Sequence, residues 1–371
     1  MTTTPFERRT RDAQAALREA GAEALVCFPS PNLFYLSGFS EEPGERHLFF
    51  LVPAEGDPAF LVPDLYETQV RAATWADDVR TWADGEDPAA ATEAAVSALG
   101  LPDEPRLLVD DTMWARFTQD LRAVLPEATF GLASEVLAPL RVRKDEAELD
   151  ALRRAGAAAD AAMDRVRELG ADAVGMTESE LAADVEASLA DAGGDGTSFE
   201  TVVGAGENGA MPHYRHGDRE IRAGDPVVLD FGTRVDGYPS DQTRTVVFDG
   251  DPSAEFREVH EVVHEAQAAA VDAVEPGVAA EAVDRAAREV IEAAGYGERF
   301  VHRTGHGVGL EVHEEPYVVA GNDRELESGM VFSVEPGVYL PDRFGVRIED
   351  LVAVTEEGCE RLNDSDRGWE C

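Results

Sequence analysis

Gly224-Asp-Pro-Val-Val-Leu-Asp230-Phe-Gly232 and Gly329-Met-Val-Phe-Ser-Val-Glu335-Pro-Gly337 are one pattern written twice, 105 positions apart. In each, a glycine leads into an apolar run rich in β-branched residues, which reads as a buried strand closed by an acid and a second glycine. The repetition extends upstream. Gly175-Met-Thr-Glu-Ser-Glu-Leu181 opens a helix that ends at Ala192-Gly193, and Gly277 opens a second helix, through Val283, that ends at Ala294-Gly295, a shift of 102. Downstream, Asp241 in Ser-Asp-Gln-Thr-Arg-Thr is matched by Glu349 in Val-Arg-Ile-Glu-Asp, a shift of 108. The pattern predicts two copies of one unit, helices followed by a hairpin that offers one carboxylate per strand. The competing reading is chance similarity in a chain rich in Ala, Gly and Glu. Packed about a pseudo-twofold axis, the two copies bring Asp230, Asp241, Glu335 and Glu349 to one central cleft.

A carboxylate inside an apolar strand is costly to bury unless it is paired, protonated or bound to a cation. Taken singly, each acid reads as a solvated surface residue, the default in so acidic a chain. Matched positions and apolar or Gly/Pro flanks lift these four above that default. His306, in Thr-Gly-His-Gly-Val-Gly, adds an imidazole. Four carboxylates and one histidine make a ligand set for two divalent metal ions. Its hardness favours Mn²⁺, with Co²⁺, Fe²⁺ and Zn²⁺ as alternatives.

Composition sets the surroundings. The 371 residues include 75 Asp+Glu against 32 Lys+Arg, a formal net charge of −43. Nucleic acid and membrane surfaces are therefore not expected as partners, since both attract clustered positive charge. Lys144 is the only lysine, and a lysine-poor, acid-rich surface reads as an adaptation to high salt. Cys27, Cys359 and Cys371 show no CxxC spacing, which points to a reducing compartment without structural zinc or disulfides. No apolar run reaches membrane-spanning length, so a cytoplasmic location is expected.

The length predicts two domains. From Phe6 to Leu140 the chain alternates helix and strand. A helix is expected near Arg8–Ala20 and strands at Ala24–Phe28, His47–Val52, Ala59–Val62 and Arg106–Val109. Pro29-Ser-Pro-Asn-Leu33 is expected to break the chain, and a further helix lies near Pro88–Leu99. This is a small α/β domain, residues 1–140. The charged junction Arg141-Val-Arg-Lys-Asp-Glu-Ala-Glu148 leads into the α+β repeat domain, residues 141–371.

The whole pattern resembles the pita-bread metallopeptidases, the group containing prolidase (Xaa-Pro dipeptidase), aminopeptidase P and methionine aminopeptidase. Pro31-Asn-Leu-Phe-Tyr-Leu-Ser-Gly-Phe39 and the 141–148 junction are similar to the creatinase/prolidase-type N-terminal domain and its linker. All five metal-ligand positions of that family are filled, by Asp230, Asp241, His306, Glu335 and Glu349. By the same resemblance His213, in Pro212-His213, matches a histidine that contacts substrate. His302 and His313, the latter in Val-His-Glu-Glu-Pro316, match two further active-site histidines, and Arg347 matches the arginine beside the last ligand. The plain alternatives are hydrogen-bonded loop histidines for His213 and His302 and a structural ion pair for Arg347. The resemblance implies water-based amide hydrolysis without an acyl-enzyme, with Glu335 exchanging the proton of a metal-bridged hydroxide and His313 or His213 helping to stabilise the oxyanion. It also implies a small peptide substrate and a homodimer.

His260-Glu-Val-Val-His264 imitates the HExxH zinc-protease motif on a predicted helix. Gln267 and Ala270 stand where the longer version of that motif needs Gly and His, so the match reads as a helix face. Among family activities, the first 140 residues argue against methionine aminopeptidase, and the filled ligand set argues against a metal-free creatinase or a non-catalytic peptide-binding scaffold. Chain length resembles the shorter prokaryotic prolidases, so Xaa-Pro cleavage is expected. Aminopeptidase P action on longer Xaa-Pro-Xaa peptides, and a hydrolase or lyase acting on a non-peptide amide, are the alternatives. One departure stands out: Tyr317 occupies the position after His-Glu-x-Pro where some microbial prolidases carry an arginine for the dipeptide carboxylate. Arg303 and Arg324 are the candidates to replace it.

Overall fold

A computed structural model describes residues 4–371. The chain forms two compact units, Met1–Arg141 and Val142–Cys371. In the first, α1 (Pro5–Ala20) starts at Thr4, whose hydroxyl accepts the Glu7 N–H, with proline in the first turn, and it stops at Gly21 in the left-handed region. Strand β1 (Ala24–Cys27) is wholly buried. The Pro29–Leu33 segment departs from the expected break: Ser30 caps the N–H groups of Asn32 and Leu33, and α2 (Pro31–Ser37) begins there. A proline costs nothing at a first helical position, where its missing N–H has no partner to lose.

Strands β2 (Phe49–Pro53), β3 (Ala59–Pro63), β4 (Asp78–Trp82), β5 (Arg106–Val109) and β6 (Thr129–Leu132) complete a six-stranded sheet with order β4-β3-β2-β1-β5-β6. The β1–β2 and β2–β3 pairs are antiparallel and the other three are parallel. Helices α3 (Glu67–Ala73), α4 (Pro88–Ser97) and α5 (Ala115–Val124) link strands β3 to β6 in turn, and α6 (Ser134–Arg141) follows β6 and ends the unit. The edge strands β4 and β6 were not anticipated, because edge positions leave Asp78, Arg80 and much of β6 in contact with water and erase the alternating pattern.

The second unit is the repeat made visible. Its first half runs α7 (Glu146–Glu168), α8 (Glu178–Asp191), β7 (Val202–Ala205), β8 (Val227–Phe231), the short hairpin β9 (Arg234–Val235) and β10 (Tyr238–Pro239), then β11 (Gln242–Val246). Its second half runs α9 (Ala254–Asp272), α10 (Ala280–Ala293), β12 (Gly305–Gly307), β13 (Glu314–Val318), β14 (Val331–Val334), the hairpin β15 (Gly337–Leu340) and β16 (Phe344–Arg347), then β17 (Asp350–Val354) and β18 (Cys359–Arg361). Both α7 and α8 begin with capping boxes, Asp145 with Glu148 and Thr177 with Glu180.

The sheets are antiparallel, with orders β11-β8-β7 and β13-β12-β14-β17-β18. Thus β8 and β14 hold equivalent central places, each followed by a hairpin and a partner strand. Each half buries its own apolar core beneath its helices. Phe231, Leu229, Val185 and Met163 mark the first core, and Phe332, Phe256, Val263 and Ile291 the second.

Hydrogen bonds between β11 and the segment around Glu349 join the halves. The Glu349 N–H donates to the Thr243 carbonyl (3.0 Å), and Thr245 and Arg347 exchange side-chain and backbone bonds (3.0 Å each). Behind this junction, buried Asp350 accepts from Arg244 (2.8 Å), Gln267 (2.9 Å), Arg367 (2.7 Å) and Arg361. So many donors keep its carboxyl below the usual range despite its burial. Lys144 is also enclosed, its side chain fully buried and its ammonium donating to Glu314 at 2.7 Å. Among the described residues, no helix is long and apolar enough to cross a membrane.

Candidate active site and metal centre

The five ligand candidates together with His213, His302, His313 and Arg347 all line one cleft of the second unit, about 610 Å³ in volume. Asp230 lies within β8, paired with Thr243 of β11, and His306 lies within β12. Asp241, Glu335 and Glu349 do not sit inside strands as expected; each occupies a residue at the edge of one, immediately before β11, after β14 and before β17. At a strand end the ladder is released, so the side chain can turn toward the centre without opening the sheet. His306 reaches the same point because glycines flank it. A Cβ at position 305 overlaps the Ser333 carbonyl, and one at position 307 overlaps the Glu315 carbonyl.

One donor atom each from Asp241, His306 and Glu349 falls within 4.8 Å of the others, and all three residues are buried. Glu335 joins through His306, whose Nε2 lies 3.4 Å from Glu335 Oε1 and 3.7 Å from Asp241 Oδ2. Asp230 stands outside this tightest group, with Oδ2 accepting from Arg347 Nη2 at 2.6 Å. Asp230 Oδ1 and Glu349 Oε1 are buried without any hydrogen-bond partner.

The electrostatics show why a cation belongs here. His306 Nδ1–H donates to the Gly307 carbonyl (3.3 Å), which leaves the Nε2 lone pair facing the carboxylates. Burial, with His313 and its ring centroid 4.1 Å away, drops the His306 pKa to about 3, so the ring is neutral. Burial raises Glu335 to about 7 against the opposing pull of Arg347. Asp241 and Glu349 are pushed well above the carboxylate range by burial and by their acidic neighbours. Lone pairs and like charges held this close, with two orphaned oxygens, need protons or a multivalent cation between them. Oxygen-rich donors with one imidazole fit a divalent metal.

A hydrogen-bonded frame surrounds the acids. Arg347 donates from Nε to Thr243 Oγ1 (3.0 Å) and from Nη1 to the Tyr339 hydroxyl (2.8 Å) and the Pro212 carbonyl (3.2 Å). Thr243 in turn donates to Glu349 Oε2 at 2.6 Å. Tyr339, its phenol held protonated by burial with a pKa of about 12, bonds His302 Nε2 at 2.9 Å. His302 Nδ1–H points to the Arg303 carbonyl at 2.7 Å. Burial lowers His302 to about 4, which suits a neutral ring with both nitrogens occupied. His213 and His313 are exposed on the cleft wall.

Thr243 and Tyr339 were missed in the sequence. Thr243 could have been found, since residues two apart on a strand share a face and it follows Asp241 by two. Tyr339 carried no such signal. The HExxH imitation sits elsewhere: on α9, His260 is buried, with its pKa brought to about 4 by burial and then by His264. It lines no part of the cleft.

Comparison with known proteins places this site in a family. Residues 150–356 match metallopeptidase family M24, and residues 9–143 match the creatinase/prolidase N-terminal domain. The chain is 44% identical to a probable dipeptidase PepE of Mycobacterium tuberculosis, covering 97% of this chain and 94% of that one. It is 39% identical to an Xaa-Pro dipeptidase of Lactobacillus helveticus, covering 91% of each. The crystal structure of a prolidase from Thermococcus sibiricus superposes with a TM-score of 0.93, at 39% identity and 99% coverage of both chains. With its α/β unit followed by the repeated α+β pita-bread unit around a buried cluster of acids, the chain belongs to metallopeptidase family M24.

Proposed function

We propose that this protein is an exopeptidase that hydrolyses Xaa-Pro dipeptides with two divalent metal ions, held by Asp230, Asp241, His306, Glu335 and Glu349. The observation that carries the reading is the convergence of Asp241, His306 and Glu349 donor atoms within 4.8 Å, beside two orphaned carboxylate oxygens. The similarity to proteins named as Xaa-Pro dipeptidase and prolidase supports the substrate class. The predominance of carboxylate donors favours Mn²⁺.

When bound, the cations act as Lewis acids that ease deprotonation of water and polarise the scissile carbonyl. The chain's own groups do the rest. Glu335 takes the proton of the attacking water at Oε2, its Oε1 being engaged by Ser333 (3.3 Å), and returns it to the departing proline nitrogen. His213 or His313 donates an N–H to the carbonyl oxygen as negative charge grows there. Arg347 holds Asp230, and through Thr243 it holds Glu349. Phe199, Val202, Pro212 and Val312 give the cleft apolar wall against which a pyrrolidine ring can lie.

A cytoplasmic homodimer with a salt-adapted surface completes the proposal, the last resting on the net charge of −43. The test is a substrate panel of Met-Pro, Ala-Pro and an Xaa-Pro-Xaa tripeptide, assayed in concentrated KCl after loading with Mn²⁺ or Co²⁺. Dipeptide turnover is the expected result, and turnover of none of them sinks the reading.

A further inference from the structure

Three arginines line the cleft: Arg215, Arg303 and Arg347. Arg215 is paired with Glu200 and Arg347 with Asp230. Arg303 has no ion pair with any carboxylate of the described residues, in a chain where acids outnumber bases 75 to 32. Its guanidinium instead lies over the Tyr317 ring, 4.4 Å from the centroid. A cation–π contact of this kind takes up no hydrogen-bond acceptor, so the guanidinium N–H groups stay available, and their fork matches a carboxylate with two parallel bonds. Arg324, the other candidate in sequence, lines no part of the cleft.

The backbone that carries Arg303 is held on both sides. The His302 ring donates to the Arg303 carbonyl, and Arg288 donates to the His302 carbonyl at 2.6 Å. The Thr304 hydroxyl donates to Asp284 at 2.7 Å, and the Thr304 N–H donates to Val318 O at 3.0 Å. Asp284 also receives Arg288 at 2.8 Å, so α10 pins the segment as one piece. A residue fixed this firmly, aimed into a peptide-sized cleft and lacking an internal acid, is arranged for an acid that arrives with the substrate.

We propose that Arg303, stacked on Tyr317, receives the free α-carboxylate of the substrate's C-terminal residue and so selects dipeptides over longer peptides. This rests on the exopeptidase reading above and adds a residue that sets substrate length. Tyr317 then serves as the platform for the cation rather than as a donor itself.

The experiment compares Ala-Pro with Ala-Pro-NH₂, and Ala-Leu with Ala-Leu-NH₂, on metal-loaded full-length enzyme in concentrated KCl. Wild type should prefer the free acids, and Arg303→Gln should reduce the free-acid to amide ratio of kcat/KM by about 10- to 100-fold, chiefly through KM. Should Arg303→Gln fail to fold, Arg303→Lys is read the same way, since a lysine keeps the charge but loses the two-pronged geometry. An unchanged ratio in the folded variant overturns the proposal. Preference for the Ala-Leu pair overturns only the prolyl reading, because the free-acid to amide comparison still decides the role of Arg303. Cleavage of neither pair by wild type overturns both.

Discussion

Glu335 is the residue on which chemistry and mimicry separate most cleanly. Glu335→Gln keeps size and removes the basic oxygen, so activity should fall at least about 100-fold while the thermal melt stays close to wild type. Glu261→Gln, in the HExxH imitation on α9, should leave turnover within about twofold. The opposite pair of results would move the site to α9. The four acids and the histidine were legible because burying charge beside apolar neighbours is costly and therefore conspicuous in a sequence. The Arg347–Thr243–Glu349 and Arg347–Tyr339–His302 links were not, since Thr and Tyr are ordinary strand residues until their partners are known. His260 has a consequence of its own. Its folded pKa of about 4 lies below the free-imidazole value of 6.5. Its contribution is whole above pH 6.5 and shrinks as pH falls toward 4, where only the unfolded chain takes up the proton. At about 1.4 kcal/mol per pKa unit, the loss approaches about 3 kcal/mol. His260→Leu should therefore flatten urea-derived stability between pH 6.5 and 4.5 relative to wild type; an unchanged slope refutes this.

Strand β12 has only three residues, Gly305–Gly307, yet it places His306 between two neighbouring strands. The close approach at both glycines makes it the element most sensitive to a single methyl group. Gly305→Ala should cost about 2–3 kcal/mol by overpacking against Ser333, seen as a lower urea midpoint, and should weaken titrated Mn²⁺ binding at the same time. Loss of stability with unaltered binding would mean that β12 does not position the ligand. Elements of this unit were readable from the 102- to 108-residue offsets because two copies of one pattern reinforce each other. The first unit gave less. Its central strands β1, β2, β3 and β5 stand out as apolar runs, whereas α2 hides behind a proline that looks like a break, and β4 and β6 carry the polar, irregular composition of sheet edges.

At the scale of the molecule, the two halves of the second unit meet where their acids meet, so binding a cation also ties the halves together. Removing metal with a chelator should lower the melting temperature as well as abolish turnover, because a ligand held at 100 times its Kd stabilises by about 2.7 kcal/mol. Calorimetry with and without chelator checks this, and identical melts would argue against a structural contribution. Repulsion within a net charge of −43 should likewise be relieved by ions, so the melting temperature is expected to climb from dilute buffer to molar KCl. The buried contact between Lys144 and Glu314 has a further practical outcome. Since Lys144 is the only lysine, the folded enzyme offers no ε-amine to succinimidyl esters, glutaraldehyde or resins that couple through lysine. Reagents of that chemistry should leave its side chains unmodified until the chain unfolds, so covalent labelling of Lys144 reports unfolding of the second unit, one site per molecule.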